Sequence, residues 1–453
     1  MSRRLRSRAA ALAAVSAISL VAAAGAQAAA CDLVLVANPD ADGFDGVDAD
    51  GLVPSISEDG RFVALIADYS ANGTEVLLRN MDQPGLGPPG LISVAPSSSK
   101  SEEVTYDADS PGISADGRTL VFASEDPALS DEDIDFDRGP LGEPTNNPIR
   151  DIFAYDRLTK SITLVSRRSG ATGQTANDDS NLPALSPDGR YAAFGTESSN
   201  LTAGKHISGG TYVRDLKANV TALASRADGA NGKPLGGFEP TISKGGRMVA
   251  FVWSFGHGFG RSHRNNEISV RDTRRKKTPF ASRASGAHGA IANDDCSEPS
   301  ISANGRFVAF TSKATNLVGR DDHKVEDVFV RDLKKQRTVL VSRAAGAHGA
   351  PGSGDSGRAA ISADGRYVAF HSYASNLGPH DNPAFLDIFV KDLRTGKVYL
   401  ASQGEGGAPA NAPSASPSIS PDGRFVAFNS KATNLSPEDT DRKIGVFRYQ
   451  ILP

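Results

Sequence analysis

The chain has 453 residues, 39% hydrophobic and 23% charged, with a formal net charge of -4. A near-neutral balance on so long a chain excludes the basic field that nucleic-acid binding needs. Its 46 Gly and 26 Pro, with few apolar runs at helical spacing, predict many strands and turns.

Residues 1–30 differ from the rest. Arg3, Arg4, Arg6 and Arg8 precede an apolar run from Ala9 to Gly25, then small residues through Ala30. This is the pattern of a secretory signal peptide, with Ala26-Gln27-Ala28 or Ala28-Ala29-Ala30 as the cleavage site. The run is short and Ala-rich for a transmembrane helix, so the mature protein is expected to have none. Arg3-Arg4 also permits a twin-arginine reading, against which stand Arg6 and Ser7. The mature chain is expected to be extracytoplasmic, secreted or periplasmic. Cys31 directly follows the signal, where a lipid anchor is the alternative to soluble export. Ala28 stands where a lipobox carries a Leu-like residue, which disfavours the anchor. Cys31 and Cys296 are the two cysteines. Export invites a disulfide between them, but they fall on opposite faces of the architecture below and are expected to stay unbonded.

Residues 31–453 read as one repeat-built domain. Pro54-Ser55-Ile56-Ser57-Glu58-Asp59-Gly60-Arg61 is the first of seven copies, whose arginines are Arg61, Arg118, Arg190, Arg247, Arg306, Arg366 and Arg424. Successive steps are 57, 72, 57, 59, 60 and 58 residues, the long one holding an insertion between Asp131 and Pro148. Each copy reads as four short strands. A Pro-x-Ile-Ser strand turns at Asp-Gly or Asn-Gly into a second, such as Arg306 to Phe310. A third, such as Val328 to Leu333, and a fourth, such as Thr338 to Ser342, follow. Four antiparallel strands repeated seven times predict an all-β, seven-bladed β-propeller. The last copy stops one strand short. Asp32 to Ala37 reads as that missing strand, pairing near Val446 to Gln450 to close the ring.

The Pro-x-Ser-x-Asp-Gly-x-x-Val-Ala-Phe phrase, clearest at Pro299 to Phe310 and Pro417 to Phe428, resembles the WD-like propeller repeat of the TolB family. The resemblance covers about residues 31 to 450. It implies an extracytoplasmic, non-enzymatic binding scaffold without that family's N-terminal α/β domain. TolB's own partners are not carried over.

The strand order places tight turns on one face of the disc and the long loops on the other. At the tight-turn face a recurrent arginine and aspartate are expected to pair: Arg118 with Asp156, Arg190 with Asp215, Arg247 with Asp272, Arg306 with Asp332 and Arg366 with Asp392. These are read as structural. The long-loop face is the expected site of function. It carries an acidic sector near the first blades (Asp40 to Asp50, Glu102 to Asp109, Asp131 to Asp137). Opposite is an aromatic, basic loop in blade four. Trp253, Phe255, His257, Arg261, His263 and Arg264 of that loop are the candidate ligand-binding residues, though the loop also reads as local repacking of a degenerate blade. The Asp-rich segments invite calcium. Asp40-Ala41-Asp42-Gly43-Phe44 breaks the EF-hand spacing at Phe44, so solvated turns are preferred and no cofactor or metal is expected.

Gly354-Asp355-Ser356-Gly357 imitates a protease nucleophile phrase but occupies the place of Asn293-Asp294-Asp295-Cys296 in the neighbouring repeat. No Gly-x-Ser-x-Gly elbow or His-Glu-x-x-His helix is present. No catalytic residue is assigned. The reading is a monomeric binding scaffold for a protein or cell-envelope polymer. Its alternative is a propeller lyase or hydrolase, marked by convergent charged side chains at the central channel mouth.

Overall fold

The computed structural model describes residues 33–37, 54–68, 74–82, 91–95, 108–126, 129, 136–138, 144–202, 209–254, 265–319, 325–346, 348–378, 384–439 and 443–451. Cys31 and the signal region lie outside these residues.

The recurrent phrase builds a self-closing turn. In blade five the Ser302 hydroxyl donates to Asn304 Oδ1 at 2.8 Å, and that oxygen accepts the Arg306 amide at 2.8 Å. Ser302 Oγ in turn accepts the Phe307 amide at 3.0 Å. Gly305 completes the turn at φ +68°, a left-handed angle glycine adopts at least cost.

Each turn joins the first two strands of a sheet, and seven such sheets make the propeller. Six have four antiparallel strands. Blade four has three (Phe238–Ile242, Met248–Trp253 and Glu267–Asp272), and its outer edge is reduced to the bridges Ser269↔Phe280 and Asp272↔Lys277. Pro279, without an N–H, cannot continue a ladder there. The closing sheet joins Ser414–Ile419, Phe425–Ser430 and Gly445–Gln450 to Leu33–Ala37, in the register Leu33↔Tyr449 and Leu35↔Phe447. The N-terminal strand therefore closes the ring. In the insertion, Phe136–Arg138 pairs with Pro144–Pro148 as a small hairpin.

Within blades, aromatic rings on the second and third strands stack: Phe122 on Phe153 at 5.8 Å, Phe310 on Phe329 at 5.7 Å, Phe428 on Phe447 at 5.8 Å. Between blades, the turn glycine of one lies on the residue after the arginine of the blade before, an aromatic at five of the seven junctions. A Cβ at Gly117 would stand 2.3 Å from the Phe62 ring, and one at Gly60 2.4 Å from Phe425 of blade seven. The last contact spans the ring closure, where Arg448 also donates to the Gly60 carbonyl at 2.7 Å.

The fourth-to-first connections are expected on the long-loop face, but among the described residues part of the connections from blade two to blade six travels elsewhere. In the connection between blades two and three, a small hairpin closed by the Arg167↔Thr175 bridge clasps the outer rim of blade three. Ser169 Oγ accepts the Thr221 amide at 3.0 Å, and the Gly170 amide donates to Asn219 at 2.7 Å. A buried cation one residue before the recurrent aspartate locks this clasp. Arg214 donates to the carbonyls of Arg168 and Gly170, both at 3.1 Å. Arg271, Arg331 and Lys391 repeat the arrangement.

A second buried motif links the start of a third strand to the end of the fourth. Ser282 donates to Glu267 at 2.5 Å and accepts the Ile268 amide at 2.9 Å. Glu267 is fully buried, and burial pushes its carboxyl up to about 8. The folded chain thus holds a proton that the unfolded chain releases above its ordinary range near 4.5. This contribution is favourable below that range, falls as pH rises, and is fully lost above about 8. Glu267→Gln should flatten the pH dependence of urea-unfolding stability between pH 5 and 8, by an amount on the order of a few kcal/mol. An unchanged slope would show that Glu267 does not set it.

Cys296 is a buried thiol with no disulfide among the described residues, in the first strand of blade five, 3.4 Å from Ser312 Oγ. Burial pushes it up to about 12. Its relation to Cys31 lies outside the described residues.

Candidate functional site

The tight-turn face carries the recurrent ion pairs. The closest N–O distances are 2.7 Å for Arg118–Asp156, Arg190–Asp215 and Arg366–Asp392, 2.9 Å for Arg247–Asp272 and 2.6 Å for Arg306–Asp332. The aspartates also cap the next turn, as where Asp332 Oδ1 accepts the Lys334 and Lys335 amides at 3.0 Å. Burial would raise the Asp392 carboxyl, but bonds from Arg366 and the turn amides hold it down at about 2. The arginines are partly exposed, so solvent screens each pair and its contribution to stability is small.

Of the blade-four loop, Trp253 is described; Phe255, His257, Arg261, His263 and Arg264 lie outside the described residues. Trp253 ends the second strand and is half-buried, stacked on Phe280 at 5.3 Å and 8°. Phe280 belongs to the thinned outer edge of the same blade, so this ring packs its own blade. The acidic segments Asp40 to Asp50, Glu102 to Asp107 and Asp131 to Asp135 also lie outside the described residues. Among the described residues no three His, Cys, Asp or Glu side chains gather as metal ligands, and no helix is long and apolar enough to cross a membrane. Ser356 of the protease-like phrase shares a 2.7 Å hydrogen bond with Ser372, and Asp355 caps the Glu326 amide at 2.8 Å.

The channel is shaped by a feature the repeat phrase hides. Each innermost strand of blades two to seven bulges just before or within its Pro-x-Ile segment, with one residue at positive φ: Ser110, Leu182, Glu239, Glu298, Arg358 and Ser416. A bulge interrupts strand alternation and re-aims a side chain. Five of these residues, all but Ser416, line a cavity of about 490 Å³, with prolines between them. They also clasp one blade to the next. Glu239 Oε2 accepts the Glu298 amide at 2.9 Å, and Glu298 Oε2 accepts the Arg358 amide at 2.6 Å. Glu298 further accepts the Thr311 hydroxyl at 2.9 Å and faces Arg358 Nε at 3.6 Å. Gly357 leaves room for His371 beside this carboxylate: a Cβ there would lie 3.2 Å from both Glu298 Oε2 and His371 Nε2. Burial holds the His371 imidazole down at about 4, hence neutral at pH 7.

A second cavity of about 310 Å³ opens between blades three and four and shares Leu182 and Glu239 with the first. Its cause is legible residue by residue. Eight positions separate Thr175 from Pro183, Ile291 from Pro299 and Pro409 from Pro417, but six separate Pro234 from Pro240. The aspartate of the longer connections (Asp179, Asp295) caps the previous blade's third strand, at Arg150 and Asn266. Gly236-Gly237 replaces that segment in blade four, and Gly210, next to Gly209, stands where that strand begins with an acid in blades two, four, five and six (Asp151, Glu267, Asp327 and Asp387). Gly195 occupies the place of Thr311 and His371. Five glycines thus strip side chains from one junction. Leu182, 45% exposed, and Phe238, 37% exposed, stand in the opening.

Solved structures of similar shape include propellers. Oligogalacturonate lyase from Vibrio parahaemolyticus superposes with a TM-score of 0.50 at 8% identity, covering 93% of this chain and 97% of that one. The likeness is one of fold. TolB from Acinetobacter baumannii gives 0.39 at 15% identity over 87% and 81% of the two chains. The β-propeller domain of the Trilobed protease from Pyrococcus furiosus gives 0.48 at 11% identity over 90% and 94%. No family model and no curated protein matches the sequence.

Proposed function

We propose that this chain is an exported propeller that acts as a non-enzymatic binding module for a protein or cell-envelope polymer. The partner is received on the long-loop face, where the cavity between blades three and four meets the central channel. One observation supports this reading: among the described residues, the junction of blades three and four has a connection two residues shorter than the compared ones and exposes Leu182 and Phe238 over a preformed cavity. Exposed apolar surface on a rigid frame is the mark of a binding site.

The test is capture from the envelope fraction by the mature protein and two sets of folded variants. Species retained by wild type should be lost with Gly195→Thr or Phe238→Ala and kept with Arg118→Ala. Loss with Arg118→Ala and retention with the cavity variants would overturn the reading.

The enzyme alternative has one observation in its favour, the meeting of Glu298, Arg358 and His371 at the channel. Against it, the Glu298 carboxylate already serves Thr311, Arg358 and the next blade's amide. Turnover of an envelope polymer, abolished by Glu298→Gln in a folded protein, would establish that alternative instead.

A further inference from the structure

The cavity between blades three and four is asymmetric in its chemistry. Glu239 sits at its neck, common to both cavities, and Glu197 lies on its rim. Glu298, one blade on, has Arg358 as its counter-charge; Glu239 has no ion-pair partner among the described residues. Its one hydrogen bond in the ring comes from the neutral Glu298 amide. Burial raises the Glu239 carboxyl, the neighbouring Glu298 carboxylate adds to this, and the field of Arg358, which faces Glu298 at 3.6 Å, offsets it only in part. Beside it are two exposed apolar side chains, Leu182 and the Phe238 ring. The corresponding first-strand positions to Phe238 in neighbouring blades are Asn181, Ser297 and Gly357, so the ring is peculiar to this junction. Acid, aromatic and aliphatic groups come together where side-chain bulk has been removed.

The geometry points to a seat for an alkylammonium group, an ammonium on an aliphatic stem, with Glu239 as counter-ion and Leu182 and Phe238 against the stem. This rests on the binding-module reading and names the chemistry its partner presents. A compact cation on a flexible alkyl chain matches the site on both counts. The charge meets an unpaired carboxylate, and the stem covers apolar surface as long cationic side chains do. The ring adds a cation–π contribution. A guanidinium is the weaker fit, because its planar fork calls for a bidentate acceptor and one Glu239 oxygen is already engaged.

The test titrates the full mature chain by calorimetry with three probes. They are Nα-acetyl-lysine methylamide, its Nε-acetylated neutral counterpart, and 1,5-diaminopentane. The two ammonium probes should bind saturably and the neutral one at least about tenfold more weakly, a difference of ~1.4 kcal/mol. The tighter of the two ammonium probes tells whether a polypeptide side chain or a free amine is the better occupant. Glu239→Gln, which keeps an acceptor for the Glu298 amide, should weaken ammonium binding by about tenfold or more without lowering the melting temperature. Gly195→Thr, which installs the residue blade five carries, should block the seat. No ammonium binding, equal binding of the neutral probe, or an unaffected Glu239→Gln would overturn the inference. Envelope capture that depends on Phe238 would in that case leave the partner reading standing. Ammonium binding without cavity-dependent capture would remove the partner reading and leave the seat.

Discussion

Gly60→Ala is expected to destabilise the propeller by ~2–5 kcal/mol, through two separable effects. The residue holds φ +69°, which costs an alanine about 1–2 kcal/mol. Its new Cβ would also lie 2.4 Å from Cδ2 of Phe425, a buried ring. Overpacking of that kind costs about 1–3 kcal/mol. The position matters because this contact joins blade one to blade seven, where the Arg448 guanidinium also grips the Gly60 carbonyl. Gly245→Ala supplies the internal control: its φ is +72°, but a Cβ there meets nothing within 4 Å. Urea unfolding of both variants should show the Gly60 loss exceeding the Gly245 loss. Equal losses would mean that the ring closure relaxes around the added methyl and that backbone conformation alone sets the cost.

Arg331→Met should cost a comparable amount, ~2–4 kcal/mol, by leaving buried acceptors unmet. The Arg331 guanidinium is 3% exposed and donates to the Ala284 carbonyl at 2.8 Å, to Gly286 at 3.1 Å and to Thr338 Oγ1 at 3.1 Å. Ala284 and Gly286 belong to the clasp between blades four and five, so the loss falls on an inter-blade contact. A methionine fills the space but donates nothing. Arg331→Lys should be milder, since Lys391 in blade six performs the task with bonds of 3.0 and 2.9 Å to Arg343 and Ala344. Denaturant unfolding together with limited trypsin digestion after Arg283 reads both effects. Unaltered stability and unaltered cleavage for Arg331→Met would reduce the clasp to a surface contact.

The part of the fold that recurs was legible in the residues because local chemistry dictates it. Ser-x-Asp-Gly-Arg closes its own turn, and the glycine angle needs no distant partner. The missing last strand found its complement in Leu33–Ala37 because an unpaired sheet edge has few ways to be satisfied. The route of the fourth-to-first connections was not legible: Gly170 and Gly286 read as ordinary loop glycines until the next blade lies beside them. Trp253, singled out as a loop aromatic, is instead stacked on Phe280. Nothing in a linear reading brings those two rings together.

The channel marks the boundary most clearly. By itself the sequence determined a seven-copy ring, its strand order, its turn chemistry and which face carries tight turns. These follow from interactions within one repeat or between identical neighbours. Which side chains meet at the centre was decided only by tertiary structure. A left-handed bulge shifts the two-residue alternation, turning Leu182, Glu239, Glu298 and Arg358 into the channel from positions just before the recurrent phrase. The two-residue shortening before Phe238 could be counted in the sequence, as six positions from Pro234 to Pro240 against eight from Ile291 to Pro299. That it opens a cavity at Glu239 follows only when blades three and four are set side by side, because the missing aspartate would have capped a strand of the other blade.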